Sequence, residues 1–231
     1  CLMGPLTGYR IWFEDKYQQR GNSWMLMIAS TGFVFSTLPV QILLPLIGWR
    51  WIFGGITILI FLVIILTLIF IPTWQSRNSI ENNTGSLSDV WKNKFFKSTI
   101  PLGLFNYGGM VAVQTLWAGP WMVRVAGYSP LESATGLFWI NITMLVAFFI
   151  FGYILPKITK LGLETIRLMK FGLPVSYLSL LVIIISGENA GVIHFTIYIL
   201  TSIVLTLTQP AVALSFPTSL AGKSLTSFNL L

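Results

Sequence analysis

Charged residues divide this chain into short clusters separated by long apolar runs. The charge-free runs are 21–49, 51–76, 98–123, 133–156, 171–187 and 189–222. A helix needs about 20 mainly apolar residues to cross roughly 30 Å of hydrocarbon. Five runs reach that length, and 171–187 does so once Lys170 extends its ammonium group to the interface. The pattern predicts membrane-spanning helices near 24–47, 51–71, 99–122, 133–155, 170–187 and 191–214.

The residues within these runs argue against two other structural classes. Residues 58–71, ILIFLVIILTLIFI, contain a single threonine, whereas core helices of soluble proteins keep a polar face with a period of 3.6 residues. Transmembrane β-strands are shorter and alternate in polarity, which these runs do not. We therefore expect an all-α, polytopic transmembrane helical bundle. It would be a multi-pass integral protein of the cell (inner) membrane, with the lipid bilayer as its main partner.

Composition supports this interpretation and narrows the partners. Only 9% of the residues are charged, against about 25% in soluble domains. The formal charge of +7 would suggest nucleic acid in a soluble protein, but membrane proteins collect basic residues in their cytoplasmic loops. We expect no nucleic-acid partner. The single cysteine allows no internal disulfide, and the sequence indicates neither a metal site nor a cofactor.

Basic residues fall mainly in alternate loops. Twelve of them lie in or beside the loops 10–23, 72–97, 156–169 and 215–223, whereas the intervening loops hold only Arg50 and Arg124. By the positive-inside rule, the first set of loops is cytoplasmic.

The sequence LIGWRWIFGG places one arginine between two tryptophans. Gly48 is expected to break the helix, so that Trp49, Arg50 and Trp51 form a turn at the outer surface. Tryptophan favours the headgroup layer, where arginine can contact water or phosphate. These residues are predicted interfacial anchors, and the alternative is that Arg50 lines the outer mouth of a pathway.

The loop 73–97 differs from its surroundings because it is long and polar. It ends in VWKNKFFK, where Val90, Trp91 and Phe95 are spaced to share one helical face with lysines around them. This spacing predicts a short amphipathic helix on the inner membrane surface. The chain is therefore divided into 1–72, the linker 73–97 and 98–231.

Several stretches resemble the major facilitator superfamily, whose members pair two six-helix bundles across a long cytoplasmic loop. YRIWFEDKYQQRG resembles the loop after the fourth helix, and PLIGWRWIF resembles the turn between the fifth and sixth. LWAGPWMVRVAGYSP is similar to the end of the seventh helix, and QPAVALSFPTSLAGKSLTSFN to the region from the tenth to the eleventh. These stretches occupy 9–21, 45–53, 116–130 and 209–229.

A fifth stretch, GYILPKITKLG, is similar to the second-half copy of the family's loop motif, G-x-x-x-D-R-x-G-R. Gly152, Lys157 and Lys160 match that motif, and Gly162 closes the stretch. Pro156 replaces the acidic residue and Thr159 the glycine, so the acidic partner of a charge-relay gate is missing from this loop.

The resemblance implies a chain that runs from the end of helix four to the start of helix eleven. Residues 1–72 would be the C-terminal part of the first bundle, 73–97 the cytoplasmic linker and 98–231 most of the second bundle. It also implies a secondary active transporter that moves a small solute, with a coupling ion, by alternating access. Because three helices of the first bundle would be missing, we expect residues 1–231 alone not to transport.

No charged side chain lies at mid-depth of a predicted span, so candidate solute contacts come from uncharged polar residues. Tyr107 and Gln114 share a helical face with Ala118, and Asn106 lies close by. These side chains either line a cavity or bond neighbouring helices. The same two possibilities hold for Gln41, Asn141 and Gln209. Trp117 is a further candidate, which either stacks on a solute or sits at the membrane interface. Pro39, beside Gln41, predicts a kink.

Two functional classes compete with a transporter. An intramembrane enzyme requires clustered His, Asp, Glu, Ser or Cys within the spans. No predicted span holds an acidic residue, and the one histidine, His194, lies near a predicted outer surface. We therefore expect no enzyme. The other alternative is a non-transporting membrane scaffold or receptor-like protein.

Overall fold

A computed structural model describes residue 8 and residues 13–70, 86–160 and 165–230 of the chain. All regular elements within these residues are helical, which confirms the expected all-α class. In chain order they are α1 (Asp15–Phe35), α2 (Leu38–Phe70), α3 (Leu87–Lys92), α4 (94–124), α5 (Pro130–Lys160), α6 (Thr165–Ser186), α7 (192–214) and α8 (Thr218–Asn229).

Two of these helices change their winding along their length. Helix α4 contains two π-helical segments, Leu102–Tyr107 and Val113–Trp117, between α-helical ones. Helix α7 tightens into a 3₁₀ segment at Ile203–Leu207. The predicted spans 99–122 and 191–214 contain these changes in winding. Each still corresponds to one continuous helix, α4 and α7 respectively.

Three helices in the described part of the chain are long and apolar enough to cross a membrane: Leu38–Phe70, Pro130–Ile154 and Ile166–Asn189. An 18-residue stretch within each has a mean hydropathy of 3.0, 2.1 and 2.0, respectively. The last two match the predicted spans 133–155 and 170–187, whereas Leu38–Phe70 covers the predicted span 51–71 together with the end of the span predicted at 24–47. None of the residues of α2 is buried within the protein, as expected for a helix whose apolar side chains face lipid.

The predicted span 24–47 is interrupted at Ser36 and Thr37, close to the kink expected at Pro39. Helix α1 begins at Asp15, in the expected loop, and ends at Phe35. The hydroxyls of Ser36 and Thr37 donate to the carbonyls of Phe33 and Val34 over 2.9 and 2.8 Å. Two residues later Pro39 has no N–H to give to the preceding turn, which favours a break or kink here. Proline is accommodated because it lies in the first turn of α2.

Gly48 breaks α2 as expected, with φ 74° and ψ 161°. A residue with a side chain rarely adopts such a positive φ, whereas glycine reaches it without steric cost. The break is narrower than the predicted turn, because Trp49, Arg50 and Trp51 are already helical.

The short helix predicted at 90–97 on the inner membrane surface is instead split between two helices. Helix α3 ends at Lys92, and extended Asn93 starts α4 by accepting a hydrogen bond from the Phe96 backbone N–H at 3.1 Å. Because a new helix starts at Asn93, Val90 and Phe96 are completely buried, whereas Phe95 is not. They pack in one cluster with Val212, Phe216, Leu220 and Phe228 of the C-terminal region. The segment therefore forms part of the protein core rather than a helix that lies only on the membrane surface.

The main core lies where α1, α4, α5, α6 and α7 meet. Its buried members include Leu26 of α1, Met144 and Phe148 of α5, and Phe195 of α7. Helix α1, which precedes the linker, thus packs directly against helices that follow it, and this contact positions the polar groups described next.

Candidate functional site

A buried hydrogen bond joins the two most enclosed amides among the predicted site residues of α4 and α5. Gln114 and Asn141 are 6% and 4% exposed. The Nε2 group of Gln114 donates to Oδ1 of Asn141 over 2.6 Å, and it also lies 3.4 Å from Sδ of Met144. Nδ2 of Asn141 donates to the backbone carbonyl of Phe33 on α1 at 3.4 Å. We call Gln114, Asn141 and the Phe33 carbonyl the polar bridge.

The end of α1 makes the Phe33 carbonyl available. Carbonyls in the last turn of a helix lack the N–H groups that continue the ladder. Because α1 stops at Phe35, the Thr37 N–H bonds the Val34 carbonyl instead of that of Phe33. The Phe33 carbonyl accepts from Ser36 and Asn141 in its place. The local helix break therefore supplies one of the three parts of the bridge.

The winding of α4 brings Gln114 into the core. Buried residues on this helix recur every four positions, at Met110, Gln114, Ala118 and Met122. An α-helix has 3.6 residues per turn, so a strict four-residue repeat would drift off one face. A π-helical segment widens its turns through i→i+5 bonds. The segment Val113–Trp117 lies within the repeat and keeps these side chains turned toward α5 and α1.

A cavity of about 430 Å³ opens beside the bridge, between the end of α1, the start of α2 and the facing ends of α4 and α5. Its polar lining comes from Ser36, Thr37, Gln41, Arg124 and Ser133. Gly119, another lining residue, accepts a hydrogen bond from Ser133 Oγ at 3.2 Å, which holds α4 against α5. We call this space the α1–α4–α5 cavity.

The cavity and the bridge are close along the helices. Gly119 follows Gln114 by five residues, which is about 7 Å of helix rise. Leu137 of the cavity wall precedes Asn141 by four residues, or about 6 Å. The polar bridge therefore lies one to two helical turns below this cavity. Gln41 reaches the same region, although its side chain is exposed.

Trp117 and Gln209 are not brought to the bridge. Trp117 is 64% exposed and is not among the residues that line the cavity. Gln209 is buried on α7, beside Thr208, whose hydroxyl lies 3.4 Å from Sδ of Met169 on α6. The side chains of Asn106 and Tyr107 lie outside the described residues, so their role stays a prediction.

The predicted interfacial anchors are all on the surface. Trp49 and Trp51 are exposed, as is Arg50. The guanidinium carbon of Arg50 lies 4.6 Å from the Trp49 ring centroid, a cation–π contact. This arrangement is compatible with anchoring at the headgroup layer, which stays a prediction.

The loop motif supplies a close helix contact through Gly152. A Cβ at this position would lie 3.1 Å from Cδ1 and Nε1 of Trp24 and 3.3 Å from Cβ of Ser23. Gly152 thereby lets α5 approach α1. Lys157 is exposed, whereas the Lys160 side chain and Gly162 lie outside the described residues.

Sequence reasoning missed the role of Arg20, which it assigned only to a basic loop. The guanidinium carbon lies 4.6 Å from the Trp24 ring centroid and 4.8 Å from that of Tyr153 on α5. Its Nε is buried without a hydrogen-bond partner among the described residues. The four-residue spacing of Arg20 and Trp24 could have indicated one of these contacts. We call Arg20, Trp24 and Tyr153 the arginine clasp.

These features define a polytopic α-helical membrane protein in which a helix before the long linker packs on helices after it. The sequence model of the Major Facilitator Superfamily matches residues 11–231, and the chain belongs to this family of membrane transporters. Among curated proteins and among solved structures, none matches the chain.

Proposed function

We propose that the full-length protein containing this chain carries out secondary active transport of a small solute by alternating access, in the inner membrane of the cell. The observation that carries the proposal is the polar bridge, because it joins α1 to α4 and α5 across the linker. Alternating access requires one helical group to move against the other around a central site. A buried polar contact between the groups marks where that movement takes place.

The two hydrogen bonds of the bridge differ in a way that suits such movement. The Gln114–Asn141 bond of 2.6 Å lies within the group that follows the linker. The Asn141–Phe33 bond of 3.4 Å, which crosses between the groups, is long and therefore weak. Hydrogen bonds between membrane helices contribute about 0.6 kcal/mol on average. We propose that Gln114 and Asn141 move as a unit and that the contact with Phe33 opens.

The solute would enter through the α1–α4–α5 cavity and exchange hydrogen bonds with the bridge. Gln114 Oε1 has no hydrogen-bond donor among the described residues, and each amide can both donate and accept. Charged side chains in the described parts of α1, α4 and α5 lie only near the helix ends. We therefore propose a solute recognised at the bridge by neutral hydrogen bonding, with any coupling ion bound elsewhere.

Uptake measurements on the full-length gene product test this proposal. Cells that express it would be screened with a panel of labelled sugars, amino acids and organic acids. For a solute that is taken up, Asn141→Leu should abolish uptake at an unchanged protein level, since leucine keeps similar bulk but cannot hydrogen-bond. Thr143→Ala is the matched control, because the Thr143 hydroxyl bonds only its own helix at the Trp139 carbonyl among described groups.

Normal uptake by Asn141→Leu would remove the bridge from the mechanism. If the wild-type protein moves no solute of the panel, the non-transporting scaffold or receptor-like alternative gains support.

A further inference from the structure

A second cavity lies between the first turns of α4 and α6, away from the polar bridge. Its volume is about 230 Å³. The walls are mainly apolar and include Leu102, Ile166 and Leu173, while Ser98 and Lys170 stand among them. We call it the α4–α6 cavity.

Both helical segments that form the walls of this cavity carry basic residues. The wall segments 94–102 and 165–173 hold Lys94, Lys97, Arg167 and Lys170 and no acidic residue. All four side chains are exposed, and none forms an ion pair with a residue that the structure describes. Glu164, the nearest acidic residue in the sequence, lies outside that part of the chain. An anion at the cavity mouth would therefore meet positive charge, with no acidic residue on either wall segment.

The position of Lys170 separates two environments. It lies in the second turn of α6, and the charge-free run 171–187 follows directly. Lysine at such a boundary places its ammonium group at headgroup level and its methylene groups along apolar surface. Leu173 lies about one turn further along α6, inside this charge-free run. The cavity thus offers a cation at the headgroup layer and apolar walls beneath it.

We propose that the α4–α6 cavity binds an anionic phospholipid. Lys170 would hold the phosphate, and part of one acyl chain would lie against Leu102 and Leu173. Basic pockets between membrane helices bind anionic headgroups in this way. The volume is below the 300–1,000 Å³ typical of sites that enclose a whole small molecule, whereas a lipid needs to insert only one chain segment. The Ser98 hydroxyl already donates to the Phe95 carbonyl at 2.7 Å, which leaves Lys170 as the main headgroup contact.

Native mass spectrometry of the purified full-length gene product tests this proposal. The protein would be released from mixed micelles that contain phosphatidylglycerol and phosphatidylcholine with identical acyl chains. We expect retained phosphatidylglycerol to exceed phosphatidylcholine. Lys170→Gln should lower this retention by roughly fivefold, the effect of one basic residue at an anionic surface. Lys92→Gln is the control, because Lys92 is an exposed lysine of α3 outside the cavity.

Two further arms separate the possible ligands. Leu173→Trp should displace phospholipid by filling the apolar part of the cavity, with the elution volume and helical circular dichroism confirming an intact fold. Inorganic phosphate should not compete, since it cannot use the apolar walls. Equal retention of the two lipids, equal losses in Lys170→Gln and Lys92→Gln, or displacement by inorganic phosphate would each overturn the proposal.

Discussion

The indole ring of Trp24 on α1 lies against Gly152 on α5 so closely that a Cβ at Gly152 would be 3.1 Å from two of its atoms. The neighbouring Tyr153 ring lies 6.3 Å from the Trp24 ring, centroid to centroid. The helix before the linker and the helix after it therefore meet so closely at this point that any side chain added at Gly152 would press on the Trp24 ring.

We expect Gly152→Val to destabilise the protein because two methyl groups would force α1 and α5 apart. Overpacking of this kind costs about 1–3 kcal/mol, and thermal unfolding of the detergent-purified protein measures it. Gly55→Ala is the control, since a Cβ at Gly55 meets nothing within 4 Å and alanine favours the helix. Equal unfolding temperatures for Gly152→Val and the wild type would show that the helices are not in close contact.

The arginine clasp should contribute measurably to the same contact. Arg20→Met keeps the length of the side chain but removes the cation, and we expect a loss of about 1–2 kcal/mol because the guanidinium is partly desolvated. A double-mutant cycle with Tyr153→Leu isolates the cation–π coupling. Arg50→Met is the comparison, because Arg50 contacts a single exposed ring. A coupling energy of zero between Arg20 and Tyr153 would show that their cation–π contact does not stabilise the protein.

The topology predicted from basic residues can be tested by cysteine labelling in a Cys1→Ser background. Arg50→Cys should react with a membrane-impermeant maleimide on intact cells. Lys92→Cys and Lys157→Cys should react only after permeabilisation, because the positive-inside rule places both loops in the cytoplasm. All three positions are exposed on the protein. Labelling of Arg50→Cys and Lys92→Cys from the same side would contradict the predicted orientation.

The charge map predicted most of the helices but not their interruptions. Hydrocarbon excludes ionised groups, so gaps between charges mark where helices can cross, and α5 and α6 fall where expected. The end of α1 depends on Ser36 and Thr37 bonding back to their own turn. A count of apolar residues cannot predict hydrogen bonds from side chains to the backbone. Pro39 did predict a kink close to this position.

The sequence predicted most residues of the site but not the hydrogen bonds between them. Gln114 and Asn141 were both named as candidates, but nothing in either local sequence shows that the two amides face each other. Their meeting depends on the π-helical winding of α4, which a period of 3.6 residues does not anticipate. Phe33 could not be named at all, because it contributes only a backbone carbonyl.

The central claim is that α1 moves against α4 and α5 during transport, and cross-linking across the α1–α4–α5 cavity tests it most directly. Thr37→Cys and Ala134→Cys would be joined by a short bismaleimide in a Cys1→Ser background. The control pair, Val123→Cys and Ala134→Cys, lies in the same cavity but entirely on α4 and α5.

Uptake of a transported solute is then compared before and after linking, with the linked fraction measured on the same samples. We predict that the Thr37–Ala134 link stops uptake and that the Val123–Ala134 link leaves it largely intact. Full uptake by protein completely linked between Thr37→Cys and Ala134→Cys would contradict the proposed movement.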